Sequence, residues 1–154
     1  GDALGDKNGS KDKTHAFIQK RLFDSIGMKS AIAQFDAAGT FVGSSYVYAT
    51  ARDFARFGEL YLRDGLWEGK RILPSGWVDH ARAQTVIDDE TGQGYGAHWW
   101  TQPGEPGSLI ASGYEGQQIF VLPERDLVIV RLGKTISDKR DAVRAGLYEI
   151  AQMF

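Results

Sequence analysis

The chain has 154 residues, of which 42% are hydrophobic and 25% charged, and its 18 basic and 20 acidic residues give a formal net charge of −2. These values predict one globular domain with a substantial core, and because the basic residues form no block, they exclude nucleic-acid binding through phosphate neutralisation. The lack of cysteine excludes disulfides, thiol nucleophiles and cysteine-type zinc sites, and no apolar run approaches the roughly 20 residues of a membrane helix.

The chain is predicted to begin with a polar arm and a helix. Residues 1–13 are polar and lack periodicity, so we expect a flexible arm or a truncated end there, followed by the folded portion over residues 14–154. Apolar side chains at helical spacing predict a helix that starts at Thr14 and stops at Gly27.

The next segments predict short strands and two more helices. Glycines and paired serines within residues 31–48 are typical of short strands and an extended loop. Thr50 and Asp53 have the spacing of a capping box, with Asp in place of Glu, and open a helix that ends at Asp64–Gly65. A further short helix is predicted over residues 75–81.

The second half of the chain is predicted to be rich in strands. The strand segments are residues 95–101, 109–113, 117–122 and 127–132. The last two lack polar alternation, so both faces of each should be covered, as in the centre of a sheet. A final helix, capped by Ser137 or Asp138, carries apolar residues at helical spacing. This order predicts an α+β fold, with an antiparallel sheet packed against helices.

The most informative segment is the hairpin predicted over residues 111–130, where two apolar runs flank a Pro-Glu-Arg-Asp turn. Gly113 and Gly116 lie in the strand that enters this hairpin. Glycine inside a strand marks a bulge or a place where another group approaches the backbone closely. In an enzyme that group can be a substrate carbonyl, and the alternative is a kinked core strand with no ligand.

Common nucleophile, zinc and phosphate motifs are absent, since the chain contains no G-x-S-x-G, no H-E-x-x-H and no phosphate loop. The sequence Gly133-Lys134-Thr135 resembles K-T-G and the end of a Walker motif. However, it follows a strand and Ile136 replaces the glycine, so we interpret it as a solvent-facing strand end. His15, His80 and His98 lie far apart, and we interpret them as surface or packing residues.

Two further features could carry chemistry. Trp99 and Trp100 are adjacent on a predicted strand and should point to opposite faces, one into the core and the other either into the core or into a cleft. Ser10 and Lys13 formally match S-x-x-K, a nucleophile and base pair that requires a desolvated lysine. Because that lysine lies in a highly charged segment without an apolar face, we interpret the match as fortuitous.

Five segments in order resemble the serine β-lactamase and DD-peptidase-like hydrolases, in particular the class C-type group with its esterases and 6-aminohexanoate-dimer hydrolases. They are Leu22–Met28, Ala49–Gly58, Leu66–Pro74, Tyr95–Trp100 and Gly113–Gln117. The resemblance covers only the C-terminal half of such an enzyme, and it implies the C-terminal portion of a β-lactamase/transpeptidase-like fold. The family's serine, lysine and second active-site motif lie upstream of every matched segment.

The resemblance also implies a mechanism and a set of site residues. A serine would be acylated, and the oxyanion would accept a hydrogen bond from the backbone N–H of Gln117, which we expect on a strand beside an open groove. Tyr114, Glu115 and Gly116 would contact the substrate, with Tyr114 on the groove wall. Because Tyr114 carries no positive charge, ester or neutral amide substrates are favoured over carboxylate-bearing ones. We expect no cofactor and assign no metal-binding residue.

The nucleophile and base are therefore expected to be absent from this chain, which leaves two hypotheses. The first is the C-terminal part of a serine hydrolase that cleaves ester or amide bonds through an acyl-serine intermediate, active only as the complete protein. The alternative is a non-catalytic binding or assembly module on the same fold. The resemblance points to a bacterial protein, either periplasmic or cytoplasmic.

The partners that we expect are a small-molecule substrate, with no nucleic acid and no membrane, and a second polypeptide. The missing half would cover the strands from Ile119 to Leu122 and from Leu127 to Val130. Without it these apolar strands would expose more surface than a soluble monomer tolerates. We therefore expect a homo-oligomer or association with the missing N-terminal half.

Overall fold

The computed structural model describes residues 11–154, so most of the predicted arm and the serine of the S-x-x-K match lie outside the described residues. Helix α1 (Lys11–Ile18) begins three residues before the predicted cap at Thr14. It continues through a π turn (Gln19–Phe23) and a 3-10 turn (Asp24–Ile26). Gly27 ends it as predicted, in the left-handed conformation with φ 70°.

The remaining elements follow the predicted order of helices, strands and a final helix. In chain order they are β1 (Ile32–Ala33), β2 (Val47–Tyr48), α2 (Ala51–Leu62), β3 (Leu66–Trp67), β4 (Lys70–Arg71), α3 (Trp77–Arg82), β5 (Val86–Ile87), β6 (Gly94–Tyr95), β7 (Trp100–Gln102), β8 (Glu105–Ser112), β9 (Gln118–Leu122), β10 (Leu127–Arg131) and α4 (Arg140–Ala151). None of the helices within residues 11–154 is long and apolar enough to cross a membrane.

Strands β5 to β10 form one antiparallel six-stranded sheet in the order β10-β9-β8-β7-β6-β5. Each strand pairs with its neighbour in sequence, so the sheet is a meander with β5 and β10 at its edges. The predicted hairpin is confirmed: β9 and β10 pair from Leu122↔Leu127 to Gln118↔Arg131 around a 3-10 turn at Pro123–Arg125. The α+β class is therefore confirmed.

The predicted aromatic strand over residues 95–101 is wrong, because it is two strands joined by a turn. Tyr95 of β6 pairs with Trp100 of β7, and the N–H of Gly96 donates to the carbonyl of Trp99 at 2.8 Å. His98 adopts φ 67° within this turn. Trp99 is buried in the core and Trp100 is half-buried, which agrees with the expectation that the two indoles point to different surroundings.

Helices cover both faces of the sheet at β9. Helix α2 packs on one face, where Ile119 and Val121 meet Tyr61, and α4 packs on the other, where Phe120 meets Leu147. All five residues of β9 are buried. The expectation that the strand from Ile119 to Leu122 would be exposed without further chain is wrong, because these two helices of the same chain already cover it. Strand β10 differs, since it lies at the sheet edge and every one of its residues is half-buried.

A buried carboxylate fixes the start of α2. The Thr50 side chain caps the helix by accepting from the N–H of Asp53 at 3.3 Å, as predicted. The Asp53 carboxylate does not complete a capping box, because it accepts from Ser30 instead, from the N–H at 2.7 Å and from the hydroxyl at 2.6 Å, and it pairs with Arg56 at 2.5 Å. These hydrogen bonds, the Ser30 hydroxyl first, hold the pKa of Asp53 below its usual value.

Replacing Gly58 of α2 by alanine should lower the free energy of unfolding. An added Cβ would lie 2.6 Å from a methyl carbon of Val128, a β-branched side chain that cannot rotate away cheaply. Overpacking of this kind costs about 1–3 kcal/mol, which exceeds the roughly 1 kcal/mol of helix propensity gained. In Gly146→Ala of α4 the added Cβ meets nothing within 4 Å, so only the gain remains. In urea denaturation, the free energy of unfolding should fall in Gly58→Ala and rise in Gly146→Ala. A stabilised Gly58→Ala would contradict this packing.

The Asp53 carboxylate should give the protein an acid-sensitive stability. Because its pKa is lower when folded than when unfolded, its contribution is present above the unfolded value near 4 and is lost as pH falls below it. Asp53→Asn should therefore lower the free energy of unfolding at pH 6 by about 2 kcal/mol and flatten the decline toward pH 3. Asp89→Asn, at an exposed carboxylate, is the matched control and should keep the wild-type decline. Equal pH profiles for wild type and Asp53→Asn would contradict the assignment.

Candidate functional site

The predicted site residues form the tight turn between β8 and β9. The two strands pair up to Ser112↔Gln118, and the N–H of Gly113 donates to the carbonyl of Gln117 at 2.8 Å. Residues 114–116 make a single 3-10 turn between them. We call residues 113–117 the motif turn. The structure thus brings the predicted site residues together.

Two consecutive residues of the motif turn adopt left-handed backbone conformations. Glu115 has φ 57° and Gly116 has φ 85°. The conformation suits glycine and is costly for a glutamate, so the surrounding contacts must hold Glu115 in place.

The end of β10 and the residues that follow it lie alongside the motif turn and supply part of that support. Arg131 donates from Nη1 to the carbonyl oxygens of Gly116 at 2.8 Å and Gly133 at 2.6 Å. The side-chain amide of Gln117 makes a reciprocal pair with Gly133, donating to its carbonyl at 2.9 Å and accepting from its N–H at 2.8 Å. These bonds tie the last two residues of the turn to the end of the sheet.

The first part of the turn is held from the same segment. The N–H of Thr135 donates to the carbonyl of Glu115 at 2.9 Å, and the carboxylate of Glu115 pairs with Lys134 at 3.4 Å. The ring of Tyr114 is 80% exposed, and the guanidinium carbon of Arg140 lies 5.7 Å from its centroid. Positive charge therefore stands beside the motif turn, although no residue of the turn carries it.

The backbone N–H of Gln117 makes no hydrogen bond to another group within residues 11–154. Its own carbonyl is occupied by Gly113, and its backbone is extended, with φ −65° and ψ 135°. Gln117 does not lie on a strand as expected, because β9 begins at Gln118, one residue later. Its N–H is outside the sheet ladder and remains free to donate to a bound molecule.

Neither of two surface cavities of the described residues coincides with the expected groove. One cavity of about 390 Å³ is lined by Val86, Asp88, Tyr95 and Trp100, and another of about 580 Å³ lies at residues 59–69. The first includes the half-buried Trp100, the indole expected in the core or in a cleft. The Gln117 N–H and the Tyr114 ring lie outside both cavities.

The interpretation of Gly133-Lys134-Thr135 as a solvent-facing strand end is wrong for two of its residues. Lys134 is exposed, but Thr135 is buried and Gly133 holds the amide of Gln117. The signal for this arrangement is the hairpin register. Since Arg131 pairs with Gln118, the residues after Arg131 must run beside the residues before Gln118.

The histidines make no site of their own. His80 lies against Trp77 with the two rings tilted by 49°, and His15 lies near Phe35; the ring centroids are 5.5 Å and 6.1 Å apart. Over residues 11–154 there is no cluster of three or more His, Asp or Glu side chains that could hold a metal ion. The motif turn, which carries the free N–H of Gln117 and is held by hydrogen bonds from neighbouring residues, is therefore the candidate functional site.

Sequence and structure comparisons agree on the relatives of this chain. The family model described as beta-lactamase matches residues 8–152. A 6-aminohexanoate-dimer hydrolase from Paenarthrobacter ureafaciens is 31% identical over 113 residues, which cover 68% of this chain and 29% of that protein. The chain thus spans under a third of the length of this curated relative.

Two solved structures share the fold. A Bacillus anthracis protein assigned as a 6-aminohexanoate-dimer hydrolase superposes with a TM-score of 0.74 and 31% identity, covering 88% of this chain and 37% of that one. An octameric penicillin-binding protein homologue from Pyrococcus abyssi superposes with a TM-score of 0.55 and 16% identity, covering 75% of this chain and 32% of that one. The β-lactamase/transpeptidase-like fold expected from the sequence is confirmed.

Replacing Gly116 by alanine should destabilise the protein more than the same change at Gly104. Both glycines have positive φ, 85° and 80°, so both variants carry backbone strain of roughly 1 kcal/mol. At Gly116 the new Cβ would also lie 3.2 Å from Nη1 of Arg131 and 3.3 Å from Thr135, whereas at Gly104 it would meet nothing within 4 Å. We expect Gly116→Ala to lose about 1–2 kcal/mol more in urea denaturation. Equal losses of stability in the two variants would mean that Arg131 and Thr135 move aside at no cost.

Proposed function

Because this chain belongs to the beta-lactamase family, we propose that it forms the C-terminal part of a serine hydrolase that cleaves ester or amide bonds through an acyl-serine intermediate. The observation that carries the proposal is the free N–H of Gln117 on the rigid motif turn. In the family's acyl-transfer chemistry, the residue at this place donates to the oxyanion.

The role of Gln117 follows from the reaction. The serine oxygen attacks the substrate carbonyl carbon, its proton passes to the base, and the carbonyl oxygen becomes an oxyanion. The oxyanion accepts a hydrogen bond from the Gln117 N–H, which has no other hydrogen-bond partner within residues 11–154. Collapse of the intermediate expels the alcohol or amine with a proton, and water then cleaves the acyl-serine. A donor of this kind is worth about 3 kcal/mol in the transition state.

We place the serine and its base in a part of the protein beyond these 154 residues. The chain spans 29% of its curated relative and 37% of a solved one, which leaves room for both groups. The Ser10–Lys13 pair does not suit the task. Lys13 is exposed on α1, whereas this chemistry requires a desolvated lysine.

Tyr114, Glu115 and Gly116 are proposed to contact the substrate, which we take to be an ester or a neutral amide. Tyr114 offers an exposed ring and hydroxyl, whereas Gly116 is buried against Arg131 and Thr135 and would contact a substrate through backbone atoms alone. Glu115 neutralises Lys134, so the nearest ammonium is not available for a substrate carboxylate.

Association with a second polypeptide is proposed to occur along β10. This strand pairs only with β9, so one row of its backbone groups is left for another strand. Either the N-terminal part of the same protein or a second copy of the chain would complete the sheet. Light scattering of residues 1–154 distinguishes the two, because only self-pairing gives a dimer.

The proposal predicts that the complete protein hydrolyses nitrophenyl esters and that a fluorophosphonate probe labels one serine outside residues 1–154. A chain restricted to these 154 residues should show neither turnover nor an acyl-enzyme burst. Peptide mass mapping of the labelled protein identifies the serine, and Ser10→Ala in the complete protein is the matched control, with labelling unchanged.

Two results would contradict the proposal. Labelling of Ser10 would make Ser10–Lys13 the catalytic pair, and a native protein of only 154 residues without activity would favour a non-catalytic assembly module.

The substrate class is tested separately, with a neutral ester against the carboxylate-bearing nitrocefin. We expect kcat/KM to be at least about tenfold higher for the neutral ester, since no residue of the motif turn carries a positive charge that could pair with a substrate carboxylate.

A further inference from the structure

We infer that Arg131 is a positioning residue for the hydrolase: it fixes the direction of the Gln117 N–H and strengthens it as a hydrogen-bond donor. This inference rests on the proposed function and extends it to a residue that does not contact the substrate. It depends on how one peptide group, the one that joins Gly116 to Gln117, is held.

The first step concerns direction. In a trans peptide the C=O and the N–H are fixed on opposite sides of one plane, and residues 11–154 contain no cis peptide. Arg131 Nη1 donates to the carbonyl oxygen of Gly116 at 2.8 Å. Because that carbonyl and the N–H of Gln117 belong to the same peptide, the N–H must point away from the guanidinium. By holding the Gly116 carbonyl, Arg131 therefore fixes the direction of the Gln117 N–H.

The second step concerns rigidity. The same Nη1 also donates to the carbonyl of Gly133 at 2.6 Å, and Gly133 is itself doubly hydrogen-bonded to the side-chain amide of Gln117. The guanidinium, the peptide and the side chain thus form a closed ring of hydrogen bonds. Rotating the peptide plane would break several of these bonds together.

The third step concerns space for the guanidinium. A Cβ added at Gly116 would lie 3.2 Å from Arg131 Nη1, and one added at Gly133 would lie 3.0 Å from its Nη2. The missing side chains at Gly116 and Gly133 therefore leave the space that the guanidinium occupies. Arg131 comes close to the backbone at both places because neither residue has a side chain.

The fourth step concerns charge. Arg125, at the other end of the β9–β10 hairpin, is part-buried like Arg131 and pairs with the carboxylate of Glu105 at 2.8 Å. None of the ion pairs within residues 11–154 involves Arg131. Its charge instead acts on peptide carbonyls. A cation on the C=O polarises the peptide and makes the N–H on its other side a stronger donor.

The test compares Arg131→Met with Arg131→Lys in the complete protein, with Arg125→Met as the matched control. Arg131→Met removes the charge and both hydrogen bonds, but leaves the Gln117 N–H in the chain. Loss of a whole oxyanion donor costs about 10²–10³ in kcat, so we expect a misdirected donor to lower kcat by about 10–100-fold, with KM changed less than threefold. Arg131→Lys should recover part of this loss. Arg125→Met should lower thermal stability while kcat stays within twofold.

A second readout is independent of catalysis. In the complete protein labelled with ¹⁵N-glutamine, the amide proton of Gln117 should shift upfield in Arg131→Met, because the carbonyl is no longer polarised. In Arg125→Met it should keep its position.

The outcomes separate the inference from the proposed function. An unchanged kcat in Arg131→Met, or a raised KM with unchanged kcat, would overturn the positioning role while leaving the hydrolase assignment in place. If the wild-type protein has no serine-dependent activity, the proposed function and the catalytic role of Arg131 fail together, and the Gln117 amide shift decides only whether Arg131 polarises that peptide. An unmoved amide resonance would overturn the polarisation as well, and a shifted one would support it.

Discussion

β9 is paired on both edges and covered on both faces, and all five of its residues are buried. Its side chains alternate between two helices, with Ile119 and Val121 toward α2 and Phe120 toward α4. A slip of one residue would exchange these faces and place each side chain against the wrong partner. Burial on both faces therefore fixes the register of β9 against β8 and β10.

That register in turn builds the candidate site. Pairing of Ser112 and of Arg131 with Gln118 on its two sides places the end of β8, the start of β9 and the exit from β10 next to one another. The motif turn and the segment that holds it are thus brought together by the sheet itself. The turn gains its rigidity from backbone and amide hydrogen bonds, and most of these come from a single neighbouring segment. A donor held in this way needs little reorganisation when charge develops on a bound substrate.

The fold class, the β9–β10 hairpin and the helix end at Gly27 could be predicted from the sequence, because each depends on local patterning and turn chemistry. The aromatic segment was misread because its turn rests on tertiary packing: a Cβ at Gly96 would lie 2.2 Å from the carbonyl of Ala81. At the site, the motif resemblance pointed to Gln117 and its neighbours. It could not reveal Arg131 or Thr135, whose contacts with the turn arise from strand register across 15 to 20 residues of chain. Drawing the hairpin register from the apolar pattern would have placed both beside the turn.

The meander also has a consequence for how the protein reaches its folded state. Every strand of the six-stranded sheet pairs with its neighbour in sequence, so each pairing closes only a short loop. Chains with such local contacts fold quickly, because little loop entropy is lost before a contact forms. Strand pairing in this sheet therefore costs little loop entropy, and the packing of α4 on β9, which fixes the register, involves the last element of the chain. The motif turn, which is held by Arg131 and Thr135, would be shaped only after β10 has paired with β9.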